Sequence, residues 1–364
     1  MIDNNKIVDI LRTVMDPVTG QDIVSMKMVE GLSIKGDVVN FSIKVPNLEG
    51  DIKSQLNFAC IGAITAEYPN ADVNIHIVPQ QGAAATGKTN SLSQIKNVIA
   101  VASGKGGVGK STVSVNMALG LAQQGFKVGL IDADLYGPSI PTMLGLQGQR
   151  PKVKLLYGKN KIEPLEAHGI HTISIGFIIE PDQAVVLRGP RLGGIIKQFI
   201  NDCLWPELDF LVIDLPPGTG DIQLTLVQTI PVTGVLMVTT PQEVAVIDAV
   251  KAMNMFQLDN VKVPIVGVVE NMAWFTPAEL PDNKYKIFGE GGGKKLADLA
   301  NTELVGQIPL VQAVREGGDQ GKPIITQMDH PARLDFVKAA ENLVKQVEKR
   351  NKDKEATQVV KMVI

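Results

Sequence analysis

The sequence predicts an α/β protein, a doubly wound and mostly parallel sheet covered by helices and preceded by a small α+β domain. Three observations carry that reading. From Asn97 on, short runs that are apolar on both faces (NVIAVA, FKVGLID, HTISIG, DFLVID, GVLMVTT, VPIVGVVE, ELVGQIP) alternate with helical patterns, as strands buried under helices on both sides do. Residues 1–79 instead read helix, two strands, helix, strand. Between them, Gln80 to Gln94 (QQGAAATGKTNSLSQ) has linker composition and no periodicity. The expected boundaries are a small domain over 1–79, a linker over 80–96, a large domain over 97–347 and a charged C-terminal tail over 348–364.

Each element has its own signal. Apolar Ile7, Ile10, Leu11 and Val14 recur at helical spacing, and Asp16-Pro17-Val18-Thr19-Gly20 supplies a turn. Residues 24–34 and VVNFSIKV from Val38 read as strands turned by Lys35-Gly36-Asp37, residues 51–67 as a second helix, and VNIHIVP from Val73 as an alternating strand. In the large domain, a strand over 98–102 feeds a glycine loop and a helix over 111–124. Near the end, Leu334, Val337, Ala340, Leu343, Val344 and Val347 recur at three and four without a strongly basic polar face. That pattern predicts a last helix on the sheet, not a membrane-surface helix.

Composition excludes several classes. The chain has 364 residues, 45% hydrophobic, enough for two or three domains with proper cores. A net charge of −3 with 20% charged residues gives no basic field for nucleic acid and no acidic excess for disorder. Apolar runs stop far short of the ~20 residues that span a bilayer. The start, MIDNNKIVDILRTVMDP, lacks a basic region and apolar core, which predicts a cytoplasmic protein. Cys60 and Cys203 form no Cys-x-x-Cys, and His168 and His171 flank a turn-like Gly169 without ligand spacing.

Two stretches spell the phosphate-loop pattern G-x-x-x-x-G-K-[ST]. The first, Gly82 to Thr89, lies in the linker and is followed by polar NSLSQ with no apolar stripe, so no helix opens there to receive a phosphate. The second, Gly104-Lys105-Gly106-Gly107-Val108-Gly109-Lys110-Ser111-Thr112, leaves a buried strand and opens a helix. There, glycines let successive N–H groups turn inward around a phosphate, and the helix N-terminus adds partial positive charge. Lys110 is placed between β- and γ-phosphates, and Ser111 offers a hydroxyl to Mg2+. Asp214 ends the run FLVID, where a carboxylate would hold a metal-bound water, and PPGTGD after it is a rigid turn. Asp132 and Asp134 end VGLID across from the loop.

Lys105 is a second lysine inside the loop, and the spelling GKGGVGKST resembles the deviant Walker A of the MinD, ParA and nitrogenase-iron-protein class of ATPases. In that class the extra lysine reaches the partner's nucleotide, which implies an ATP-dependent homodimer. IDADLYGPSIPTMLG (131–145), LRGPRLGGIIKQF (187–199), LDFLVIDLPPGTGDIQLT (208–225), TTPQEVAVIDAVKA (239–252) and GVVENM (267–272) narrow the match. Over 97–347 they resemble the Mrp/ApbC family of iron-sulfur cluster carrier ATPases, and the N-terminal unit with DPVTGQDIV resembles a SufT-type assembly domain. The resemblance implies that residues 104–112 bind ATP, Asp134 orients water, Asp214 and Ser111 hold Mg2+, and Asn271 recognises adenine. It also implies ATP hydrolysis, with Lys105 and Lys110 neutralising phosphate charge, coupled to handling an iron-sulfur cluster for apoproteins and assembly factors.

One departure stands out. Cluster-bridging members carry Cys-x-x-Cys after the ENM-aromatic segment, whereas ENMAWFTPAELPDNKYKIFGEGGG (270–293) has no cysteine. Clusters are held by soft thiolates, which Asp282 or Asn283 replace poorly. The cluster ligands are therefore unassigned, and the expected role of Cys60 and Cys203 is packing. The alternative reading is a ParA- or MinD-like ATP-dependent dimer switch without a cluster.

Overall fold

The computed structural model describes residues 2–16, 19–45, 50–79, 94–134, 137–156, 159–177, 189–220, 223–224, 226–227, 230–258, 261–277, 279–280 and 282–353. The linker copy of the loop motif and residues 354–364 of the tail lie outside them. The chain divides into two compact units, Met1–Asn90 with Val153–Lys161, and Ser91–Lys152 with Ile162–Ile364.

In the first unit, α1 (Asn4–Leu11) is capped by Asp3, whose carboxylate accepts the Asn5 N–H at 2.8 Å. Strands β1 (Val29–Lys35) and β2 (Val38–Val45) pair antiparallel, α2 (Gly50–Glu67) follows, and β3 (Asp72–Pro79) lies parallel to β2. Alternation along β2 turns Val39, Phe41, Ile43 and Val45 into a core with Ile7, Leu11, Leu56, Cys60 and Ile64. The strand expected from residue 24 begins only at Val29. The Asp22 carboxylate takes the N–H groups of Val24 (3.1 Å) and Ser25 (2.7 Å), and Lys27 sits at φ 55°. That local turn outcompetes strand pairing.

The second unit begins with β4 (Ile95–Ser103), α3 (Lys110–Gln123), β5 (Val128–Asp132) and the short α4 (Ile140–Met143). A two-stranded ribbon of β6 (Val153–Leu156) and β7 (Lys159–Ile162), which belongs to the first unit except for Ile162, comes next in the chain, and the second unit resumes with β8 (Leu165–Ala167), β9 (Ile170–Ser174), α5 (Gly189–Asp202) and β10 (Leu208–Asp214). The remaining elements are β11 (Gly234–Thr239), α6 (Glu243–Gln257), β12 (Ile265–Phe275), α7 (Gly292–Leu299), β13 (Leu304–Leu310), α8 (Gln312–Asp319) and α9 (Ala332–Asp353). The sheet has eight strands in the order β13-β12-β11-β4-β10-β5-β9-β8, parallel except for β8 against β9.

This is the doubly wound parallel sheet that the apolar runs predict: β5 and β11 are buried at every residue. Helix α9 packs on β13 and α3 through Phe336, Ala339, Ala340, Leu343 and Val347. It runs to Asp353, taking in the start of the charged tail, and Arg350 and Lys352 in its last turn suit the negative end of the helix dipole. Central β4 is flanked by β10 and β11, and Asp214 stands in register with Val101 on one side and Asp132 on the other. The acidic residues singled out at strand ends thus stand at the carboxyl ends of neighbouring central strands, the end at which the glycine loop leaves β4.

Candidate functional site

Strand β4 ends at Ser103, and α3 opens at Lys110 with no side-chain cap, since Gly109 (φ 80°) occupies the capping position. Gly107 has the same φ of 80°, and open space surrounds the position of a Cβ there. Gly104 differs: a Cβ would stand 2.1 Å from the Asp248 carbonyl carbon, so the backbone of α6 lies directly against the loop. The end of β4 that leads into the loop is tied to the segment after Asp214 by Gly218 N–H to the Ser103 carbonyl (3.0 Å) and Leu215 N–H to the Val101 carbonyl (3.0 Å).

The buried ammonium of Lys110 (6% exposed) lies 2.8 Å from Asp214 Oδ1 and 3.5 Å from Asp134 Oδ2. Asp214 has no exposed surface. It also accepts the hydroxyls of Ser111 at Oδ2 and Ser114 at Oδ1, both at 2.6 Å. Asp132, beside it in the sheet, accepts the Asp134 N–H at 3.1 Å and the Ser174 hydroxyl at 2.9 Å. Burial first, and the Asp214 charge second, push the Asp132 carboxyl up to about 8. Asp132 thereby braces the backbone at Asp134, while the carboxylates of Asp134 and Asp214 face Lys110.

The donor set around Ser111 and Asp214 is hydroxyl and carboxylate oxygen only, which fits Mg2+ and not a soft metal. Lys105 is half-buried, and its ammonium makes no ion pair among the described residues. Asn271 sits beneath the loop, 6% exposed: its amide donates to the Val108 carbonyl at 2.8 Å and fills the space where a Cβ on Gly109 would lie, 2.2 Å from its nitrogen. The structure therefore joins Asn271 to the loop backbone. A cavity of about 820 Å³ opens where β12 and β13 end, walled by Trp274, Phe275, Pro309, Val311, Gln312 and His330.

The spacing of the loop and the strand-end positions bring together Lys110, Ser111, Asp134 and Asp214. Sequence reasoning missed Ser114 and the link from Asn271 to Val108. The available signal for Ser114 was a serine four residues after Lys110 on an otherwise apolar buried helix face. Both cysteines are buried, Cys60 with no exposure and Cys203 at 2%, and neither is in a disulfide. Among the described residues no group of three or more His, Cys, Asp or Glu side chains is placed to hold a metal ion. His168 meets the Gly321 carbonyl at 3.0 Å and His171 meets Glu166 at 3.2 Å, so the two rings serve separate structural contacts.

Comparison with known proteins decides the family. Residues 94–347 match the family model described as NUBPL iron-transfer P-loop NTPase. The chain belongs to the NUBPL iron-transfer P-loop NTPase family. Residues 4–77 of this P-loop NTPase match a second family model, that of an iron-sulfur cluster assembly protein. It is 42% identical to the iron-sulfur cluster carrier protein of Synechocystis sp. over 95% of this chain and 97% of that one. The iron-sulfur cluster carrier protein of Helicobacter pylori is 36% identical over 97% and 95%. Among solved structures, a nucleotide-binding protein from Archaeoglobus fulgidus in complex with ADP matches with a TM-score of 0.58 and 36% identity, covering 68% of this chain and 94% of that one. The septum site-determining protein MinD of Pyrococcus horikoshii, in complex with Mg-ADP, shares the NTPase fold with a TM-score of 0.50 at 19% identity, covering 70% and 98%. No helix among the described residues of this NTPase is long and apolar enough to cross a membrane.

Proposed function

We propose that the protein binds and hydrolyses ATP at residues 104–112 and acts as a homodimeric carrier in the maturation of iron-sulfur proteins. The convergence of Lys110, Ser111, Asp134 and Asp214 on one loop is the observation that carries the ATPase half. Relatives named as iron-sulfur cluster carriers along nearly the whole chain carry the other half. Lys110 leaves its carboxylate partners to meet phosphate, Ser111 and Asp214 hold Mg2+, and Asp134 orients water. Mg2+ supplies charge neutralisation at the phosphates. Catalysis by the chain is electrostatic, with Lys105 completing the site of a second copy.

Two features support the dimer and the base site. Helix α6, whose backbone touches Gly104, exposes Val244 (65%) and Ile247 (48%), an apolar face beside the loop that a second copy would cover. Asn271 gives one amide hydrogen to the Val108 carbonyl, which leaves its second amide hydrogen and its oxygen for adenine, and the cavity at Phe275, four residues further along β12, offers the flat walls a base requires. For the cargo, Cys60 and Cys203 are both buried and form no Cys-x-x-Cys pair, so the four cysteines of a homodimer offer no exposed set of thiolates for a [4Fe–4S] site. The proposal is that cluster ligands come largely from a partner.

The test pairs ATPase assays with anaerobic reconstitution. Wild-type protein hydrolyses ATP and Lys110→Ala does not. Because that change strips the shared cation from two buried carboxylates, at a cost of about 3–5 kcal/mol, Lys110→Ala with Asp214→Asn controls for folding. Turnover in Lys110→Ala overturns the site. Iron and sulfide quantitation on the isolated chain is expected to show no stoichiometric cluster; a cluster lost in Cys60→Ser or Cys203→Ser places its ligands within the chain. The absent Cys-x-x-Cys also favours a second reading, a cargo-free dimer switch, and ATP-dependent pelleting with DNA or liposomes would select it.

A further inference from the structure

We propose that Ser114 is the positioning residue that fixes Asp214 for Mg2+-nucleotide binding, an assignment that rests on the nucleotide-site reading above. Asp214 has three side-chain partners among the described residues: Lys110 Nζ, Ser111 Oγ and Ser114 Oγ. Two of these have duties elsewhere, Lys110 to phosphate and Ser111 to the metal. Ser114 has none. It is fully buried one turn down α3, with no surface from which to meet a ligand.

A serine hydroxyl has a single hydrogen. Ser114 Oγ lies 2.6 Å from Asp214 Oδ1 and 3.0 Å from the Lys110 carbonyl, and the shorter contact is to the charged acceptor, so the proton goes to Asp214. Among the described residues no side chain other than Lys110, Ser111 and Ser114 hydrogen-bonds the Asp214 carboxylate, so it has no alternative anchor. When Lys110 and Ser111 turn to a nucleotide, Ser114 alone keeps Oδ1 pinned, and with it the orientation of Oδ2 toward Ser111. The other polar side chain in this part of α3, Asn116, has a separate role: its amide donates to the Thr112 carbonyl and its oxygen accepts the Ile325 N–H.

The experiment titrates the full-length protein calorimetrically with ATP, with and without Mg2+, for wild type, Ser114→Ala, Ser114→Thr and Lys110→Ala. Ser114→Ala is expected to bind ATP without Mg2+ within about twofold of wild type, while the affinity gained from Mg2+ falls about 10-fold, the scale of a lost hydrogen bond to a charged group. Ser114→Thr keeps the hydroxyl and regains at least half of that loss. Equal losses with and without Mg2+, or an unchanged Mg2+ effect, overturn the assignment. Should Ser114→Ala fail a melting check, Ser114→Cys, of similar size and with only a weak donor, takes its place, and the same pair of results supports or overturns the assignment. Wild-type ATP affinity in Lys110→Ala overturns the nucleotide site itself, so the two readings fail by different signatures.

Discussion

Cys60 lies on the inner face of α2 with no exposed surface, and burial pushes its thiol up from 9.0 to about 12. In the unfolded chain it ionises near its ordinary value, while the native thiol stays protonated. Its folded pKa is the higher one, so its contribution to stability is complete below about 9 and is lost as pH rises toward about 12. Urea titrations between pH 9 and 11 are expected to show wild type losing stability faster than Cys60→Ala; parallel slopes would remove the burial account. A neutral, enclosed thiol is also a poor metal ligand, which agrees with a packing role. At this scale, Lys110 and Ser111 were legible because the loop is one continuous stretch of sequence, and Asp134 and Asp214 because they end apolar runs. Ser114 was not, since its meaning depends on a residue 100 positions away.

The contact between the loop and α6 belongs to elements, not side chains. A Cβ on Gly104 would meet the main chain of Asp248 at 2.1 Å, and backbone cannot swing aside as a side-chain end does. Gly104→Ala is expected to push α6 off the loop, lower the melting temperature by several degrees and weaken ATP binding by 10-fold or more. Near-normal affinity would mean that the loop holds its shape without α6. The strands of the large sheet were readable because burial on both faces writes continuous apolar runs. Others left no such trace. Strand β1 starts late because Asp22 captures two backbone donors, and β6, β7 and β8 are only three or four residues long. Strand β12 continues past its apolar run to Phe275, where Phe275 N–H and Tyr285 carbonyl bond at 2.8 Å, a partner that no local pattern announces.

For the whole molecule, the decisive question is whether two copies close over nucleotide. The exposed Val244 and Ile247 stand on the helix that touches the loop. Replacing both with aspartate is expected to keep ATP affinity within about threefold and to abolish ATP-dependent dimers in light scattering, because like charges would face each other across a desolvated surface. A persistent dimer would move the interface elsewhere. The order of the strands has a further consequence. Strand β4 sits at the centre of the sheet, yet its neighbours β10 and β11 come more than a hundred residues later, as the 135-residue span between Val98 and Thr233 shows. During synthesis the glycine loop emerges long before anything exists to shape it, and slow, non-local strand pairing must finish first. A nascent chain therefore carries the complete loop sequence while being unable to consume nucleotide, so its activity appears only once the molecule is whole.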